Sequence, residues 1–235
     1  MKVQIVQHIE CEGPGYLEDF LHDNGIEYEI ARMYEGEQLP DNFDALIVLG
    51  GPMNVYEEER YPYLKGLNTT IKNFVVAGGH YLGFCLGGQL LAKALGAKVR
   101  RNQTKEIGNF EIQQTDVGVE DPLFKGFDQV FPALEWHGDT FEIPAVAMKL
   151  VESELCANQA FRFKNAYGLQ FHLEATPEML AEWVKVYEDE LTEEGIDAAA
   201  LIEETKRKAD IYRELSNRLF ANFLGWYILA YFDEK

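Results

Sequence analysis

The residues best suited to chemistry are a cysteine ringed by glycine, Gly83-Phe84-Cys85-Leu86-Gly87-Gly88-Gln89. A thiol on a sharp strand-to-helix turn is held in a strained backbone conformation, and neighbours without Cβ atoms relieve the crowding. The helix that follows offers unpaired N–H groups and a positive dipole end, which favour thiolate. Taken alone, the pattern suits a buried structural cysteine equally well. A thiol nucleophile also needs a base, and the base needs an orienting group. The chain has five histidines, at 8, 22, 80, 137 and 172. His172 stands in Gln170-Phe171-His172-Leu173-Glu174, and residues two apart in a strand share a face. Glu174 is then placed to fix the imidazole tautomer and stabilise the imidazolium. A polar strand end can also produce such a pair by accident.

Residues 46–54 (LIVLGGPMN) add a third element. Gly50 and Gly51 follow an apolar run and let the backbone present N–H groups to a ligand. The N–H of Gly51, joined by that of Leu86, would form an oxyanion hole for a tetrahedral intermediate. A plain turn before Pro52 is the other reading.

The elements that must position these groups alternate. Strands are expected at 3–9, 27–33, 44–51 and 81–84, and helices at 15–25, 63–79 and 87–96. That rhythm is the one of a doubly wound, mostly parallel α/β sheet flanked by helices, flavodoxin-like, with sites at the carboxyl ends of its strands. Residues 99–166 read as added β-structure with loops, and 166–174 as a further strand. Residues 177–231 read as mostly helical, with Ile211, Leu215, Leu219 and Phe223 as a buried stripe. The expected division is a domain over 1–185 and a helical C-terminal extension over 186–235, packed on the same domain.

Forty acidic against twenty-one basic residues give a net charge of −19, a field that repels phosphate backbones and argues against nucleic acid as a partner. The apolar window 219–232 is shorter than the roughly 18 residues of a membrane span and reads as a buried or oligomer-facing helix, so no membrane partner is expected. The first residues resemble a core strand rather than a secretion signal. The cysteines at 11, 85 and 156 have no metal-site spacing and form no even disulfide set, so no metal is expected and the cytoplasm is the expected compartment.

These motifs together resemble the class I, triad-type glutamine amidotransferase domain, over roughly residues 1–185. The resemblance rests on Gly-Gly-Pro at 50–52, Gly-x-Cys-x-Gly-x-Gln at 83–89, Trp-His-Gly-Asp at 136–139 and His-x-Glu at 172–174. It points to the glutaminase part of GMP synthase and to free-standing relatives. It implies that Cys85 attacks the glutamine side-chain amide to form a γ-glutamyl thioester, with His172 as the proton carrier and Glu174 as its orienter. It implies substrate contacts at Gly50, at Gln89 and, with Asp139, at His137, and no cofactor. Leu173 stands where the family commonly has proline. No Ser-Gly-Gly-x-Asp phosphate loop occurs, so a nitrogen acceptor is expected on a separate synthetase subunit. Self-association is compatible with the apolar end. A γ-glutamyl hydrolase or peptidase uses the same triad on another γ-glutamyl compound. A non-catalytic binding or regulatory relative would be expected to lack part of the triad. Relatives with only a cysteine elbow, among stress-response and protease-like proteins, would not need the His-x-Glu pair.

Overall fold

The apolar runs of the first hundred residues form β1 (Lys2–Gln7), β2 (Glu27–Arg32), β3 (Ala45–Val48) and β4 (His80–Phe84). Between and after them lie α1 (Tyr16–Asp23), α2 (Tyr63–Val76) and α3 (Leu86–Ala94). The computed structural model describes residues 1–40 and 42–233, with side chains described through Gly225. β3 is buried at every position, as a strand covered on both faces must be. Its side chains alternate between two cores. Ala45 and Ile47 face the layer of α1, while Leu46 and Val48 face the layer of α2 and α3.

The added β-structure is a long antiparallel pair, β5 (Val99–Gln114) and β6 (Val130–Phe141), with the short α4 (Asp116–Val119) between them. β7 (Met148–Glu152), β8 (Ala160–Phe163) and β9 (Ala166–Leu169) follow. Among the described residues, nine strands form one mixed sheet ordered β2-β1-β3-β4-β9-β8-β7-β5-β6. The pairings from β2 to β9 are parallel, and those beyond β9 are antiparallel. β1 has β2 on one side and β3 on the other, so the winding reverses there and opens a crevice at the carboxyl ends.

The remaining helices are α5 (Pro177–Val186), α6 (Glu188–Glu194), α7 (Ala198–Arg207) and α8 (Ala209–Asp233). The first three pack on β5 and β6 through Ile107, Leu134, Trp136, Leu180, Trp183 and Leu201. α8 packs on α1 and the sheet through Tyr212, Leu219, Phe220, Phe223 and Leu224. No described helix is long and apolar enough to cross a membrane. The burial of 226–232, part of the apolar window read over 219–232, lies outside the described residues.

Two expectations are corrected. The stripe of the last helix runs through 212, 216, 219, 220 and 223, and Ile211 is 49% exposed. The strand read over 166–174 stops at Leu169. The first turn of α3 occupies the space beyond it, since a Cβ on Gly88 would lie 2.4 Å from the Leu169 carbonyl oxygen. The chain therefore leaves β4 and crosses to β6, where His172 forms an isolated antiparallel bridge with Leu134.

A Cβ on Gly87 would lie 2.1 Å from the Val48 carbonyl oxygen, backbone against backbone. Gly66, inside α2, has nothing within 4 Å of that position. Gly87→Ala is expected to lose more than about 3 kcal/mol of stability. Gly66→Ala is expected to gain about 0.5–1 kcal/mol, because alanine narrows the unfolded ensemble and suits a helix interior. Urea unfolding of both variants measures the contrast.

Candidate active site

Loops at the carboxyl ends of β1, β3, β4 and β9 line one cleft of about 270 Å³. Cys85 enters it at the start of α3, with φ 47°, in the left-handed region that side chains seldom adopt. Such strain costs about 1–3 kcal/mol and persists only where the surroundings impose it. Here the Cys85 N–H donates to the Leu169 carbonyl at 2.8 Å, and its own carbonyl accepts from the Gln89 N–H at 3.0 Å. A Cβ on Gly83 would lie 2.4 Å from the Gly87 carbonyl carbon, so only glycine fits under the turn. The thiol is 8% exposed, with the Trp136 carbonyl 3.8 Å away as its acceptor.

His172 is held by its N–H to the Leu134 carbonyl at 2.8 Å. Its Nδ1 lies 2.7 Å from Glu174 Oε1, which assigns the Nδ1 proton to that bond and leaves Nε2 for the hydrogen bond with Cys85. Thus His172 and Glu174 meet although neither lies in a regular strand. The Trp183 ring packs edge-on against the imidazole at 5.0 Å, fixed by its indole N–H to the Cys11 carbonyl. Burial alone would lower the His172 pKa. The Glu174 charge and the Cys85 hydrogen bond outweigh it and hold the imidazole well above its ordinary range, so the imidazolium persists at neutral pH.

Gly50 and Gly51 pass close by. A Cβ on Gly50 would lie 2.9 Å from His172 Cε1 and 3.6 Å from Cys85 Cβ, filling the space between base and thiol. A Cβ on Gly51 would lie 3.1 Å from Leu86 Cδ2, so these two residues are neighbours. Gln89 is buried and donates to the Asp139 carbonyl and to Gln170 Oε1, at 3.3 and 3.2 Å. His137 borders the cleft, but its ring is engaged beneath it. Nδ1 meets the Asp139 carbonyl at 3.0 Å, and Nε2 lies 3.0 Å from Glu106 and 3.2 Å from Glu135. Burial opposes a charge on His137, and the two carboxylates override it and raise its pKa well above the usual value.

Among the described residues, Glu106, His137 and Cys156 are the buried group that could hold a metal ion, their ligand atoms all within 4.8 Å of one another. Glu106 already accepts from Ser153 and Gln159, and Cys156 pairs with Thr140 and the Asn158 carbonyl. The protein's own polar groups meet these needs.

Sequence reasoning missed much of the cleft wall. Glu12 follows β1, where polar residues after a buried strand were the available signal. Arg101 and Lys105 come from β5, and Tyr187 and Glu190 from the segment around α6. Lys105 pairs with Glu190 at 2.9 Å and Glu194 at 3.0 Å, and Glu190 also accepts from the Trp136 indole N–H at 2.8 Å. No periodicity in the sequence announces those long-range contacts.

Residues 16–185 match the family described as glutamine amidotransferase class-I. The chain is 34% identical over 200 residues to the glutamine amidotransferase-like protein YfeJ of Salmonella typhimurium, covering 82% of this chain and 84% of that one. It is 35% identical over 146 residues to the glutamine-hydrolysing subunit of GMP synthase from Methanococcus vannielii, covering 56% and 75%. A crystal structure of a glutamine amidotransferase from Thermotoga maritima superposes with a TM-score of 0.89 at 32% identity, covering 95% of this chain and 97% of that one.

Beneath Gly51, His8 is 1% exposed, with Nδ1 3.0 Å from the Tyr63 hydroxyl. Burial lowers its pKa to about 3 from 6.5. The folded state thus binds fewer protons than the unfolded state between those values. The stability contributed by neutral His8 is present above pH 6.5 and is lost as pH falls toward 3, at about 1.4 kcal/mol per pH unit. His8→Gln is expected to flatten this part of the stability profile, read from urea unfolding between pH 7 and pH 5.

Proposed function

The chain belongs to the class-I glutamine amidotransferase family, and we propose that it hydrolyses the glutamine side-chain amide at Cys85 and passes the ammonia to a separate synthetase subunit. The observation that carries this reading is the buried 2.7 Å bond from His172 Nδ1 to Glu174, which leaves the other ring nitrogen to the thiol. Supply to a partner is supported by the methanogen relative, which is named as the glutamine-hydrolysing subunit of a synthase.

The Cys85 thiolate attacks the side-chain amide carbon, and the N–H groups of Gly51 and Leu86 receive the oxyanion. As the tetrahedral intermediate collapses, the C–N bond breaks and His172 Nε2 gives its proton to the departing ammonia. A γ-glutamyl thioester remains. His172, now neutral, takes a proton from water as the water oxygen attacks the thioester carbon. The C–S bond breaks, and glutamate leaves with the thiolate restored. Glu174 holds the ring through both halves and balances its charge. Gln89 and the Gly50 backbone receive the amino-acid end of the substrate, and His137 supports that wall.

The test is a substrate panel of glutamine and γ-glutamyl dipeptides, with ammonia and glutamate as readouts. Wild type is expected to turn over glutamine, Cys85→Ala to be inactive, and Glu174→Gln to lose roughly 10³-fold in kcat with little change in KM. Preference for a dipeptide would redirect the reading to a γ-glutamyl hydrolase. No turnover of any γ-glutamyl compound, with or without candidate synthetases, and no alkylation of Cys85 by a glutamine-like electrophile would falsify the proposal.

A further inference from the structure

Glu12 lies on the loop after β1, 8% exposed and bordering the cleft. Its Oε2 is 2.5 Å from the point a Gly50 Cβ would occupy, and that same point is 2.9 Å from His172 Cε1. Carboxylate and imidazole thus share the space that glycine leaves open. The other oxygen, Oε1, accepts from the Tyr187 hydroxyl at 2.7 Å. Tyr187 closes α5 and opens α6, so its hydroxyl aims Glu12 from the far wall of the cleft. Neither Glu12 nor Tyr187 falls within the residues 16–185 that match the family.

Resting on the reading of His172 as proton carrier, we propose that Glu12, aimed by Tyr187, is a positioning residue of the site: its carboxylate holds His172 as the imidazolium that protonates the departing nitrogen. Glu174 already occupies Nδ1, and Nε2 must stay free for Cys85 and substrate. Glu12 approaches the Cε1 edge instead, where it meets the ring's positive charge without taking a proton position. The benefit is mutual. Burial pushes the Glu12 carboxyl up, and the His172 charge and the Tyr187 hydrogen bond pull it back toward ionisation.

The other charges in reach are few. Glu174, Cys85 and Glu135 also face His172. Tyr187, Glu174 and Glu190 face Glu12, and Cys11 adjoins it. Lys105, also on the cleft, is engaged by Glu190 and Glu194, and Arg101 acts on Asp139.

The test is an NMR titration of the His172 Cε1–H, which is assignable because the chain has only five histidines and His172→Gln removes one resonance. Glu12→Gln keeps size and hydrogen bonding but removes the charge, and is expected to lower the apparent His172 midpoint by about one pH unit. Glu12→Asp, which keeps the charge, is expected to stay closer to wild type. In the active enzyme the alkaline limb of kcat/KM moves down with the midpoint. A folded Glu12→Gln protein with the wild-type midpoint overturns the proposal and leaves Glu12 as an anchor of its loop. If that variant does not fold, Glu12→Ala, with water in the vacated space, puts the same question with the same two outcomes. A protein that hydrolyses no γ-glutamyl compound sinks the functional reading above, yet the titration still decides the role of Glu12.

Discussion

The first turn of α3 is pressed against the carbonyl ends of β3 and β9, and the rest of the site follows from that contact. Val48 and Leu169 lie so close that Gly87 and Gly88 leave no room for a methyl group. The approach forces Cys85 into its left-handed conformation and lifts the thiol into the cleft. It also blocks β9 from running further beside β4. The chain is diverted to β6, and the diversion delivers His172 to the thiol. One steric constraint therefore positions both the nucleophile and its base.

The second constraint is charge in a dry place. Glu12, Glu106, Glu135 and Glu174 are each no more than 8% exposed. A buried carboxylate is costly unless a cation or hydrogen bonds meet it. Two imidazoles do much of this. His137 meets Glu106 and Glu135, while His172 meets Glu174 and has Glu12 at its carbon edge. The two clusters sit side by side on β6, since Leu134 bridges to His172 and Trp136 offers its carbonyl to Cys85. The acidity of the sequence thus continues into the interior, where it raises the basicity of the group expected to move protons.

The parallel half of the fold was legible because its signals are local. Buried strands read as apolar runs, α1 stops before Asn24-Gly25, and the glycines around Cys85 mark a turn that needs them. The partnership of His172 with Glu174 was also legible, though for an imperfect reason: the two meet across an irregular turn, not along a strand. Illegible were the groups whose placement depends on remote packing. Glu12 gains its place only because α6 comes back over the cleft. Trp136 reads as a core residue until Glu190 is found at its indole N–H. The Ile211 error came from a stripe begun one residue early, which the partners on α1 and the sheet correct.

The ion pairs of Lys105 with α6 give the cleft an uneven mechanical character. Its floor is glycine against carbonyl and buried imidazole against carboxylate, contacts that do not yield by small steps. Its roof is fastened by Lys105 to Glu190 and Glu194, whose side chains are 34% and 37% exposed. Partly solvated pairs of this kind contribute about 0–1 kcal/mol each and weaken with salt. The chemistry is seated on the stiffest part of the molecule, and entry is governed by one of the softest. Ionic strength accordingly acts on the passage of molecules in and out before it touches the bond-breaking step.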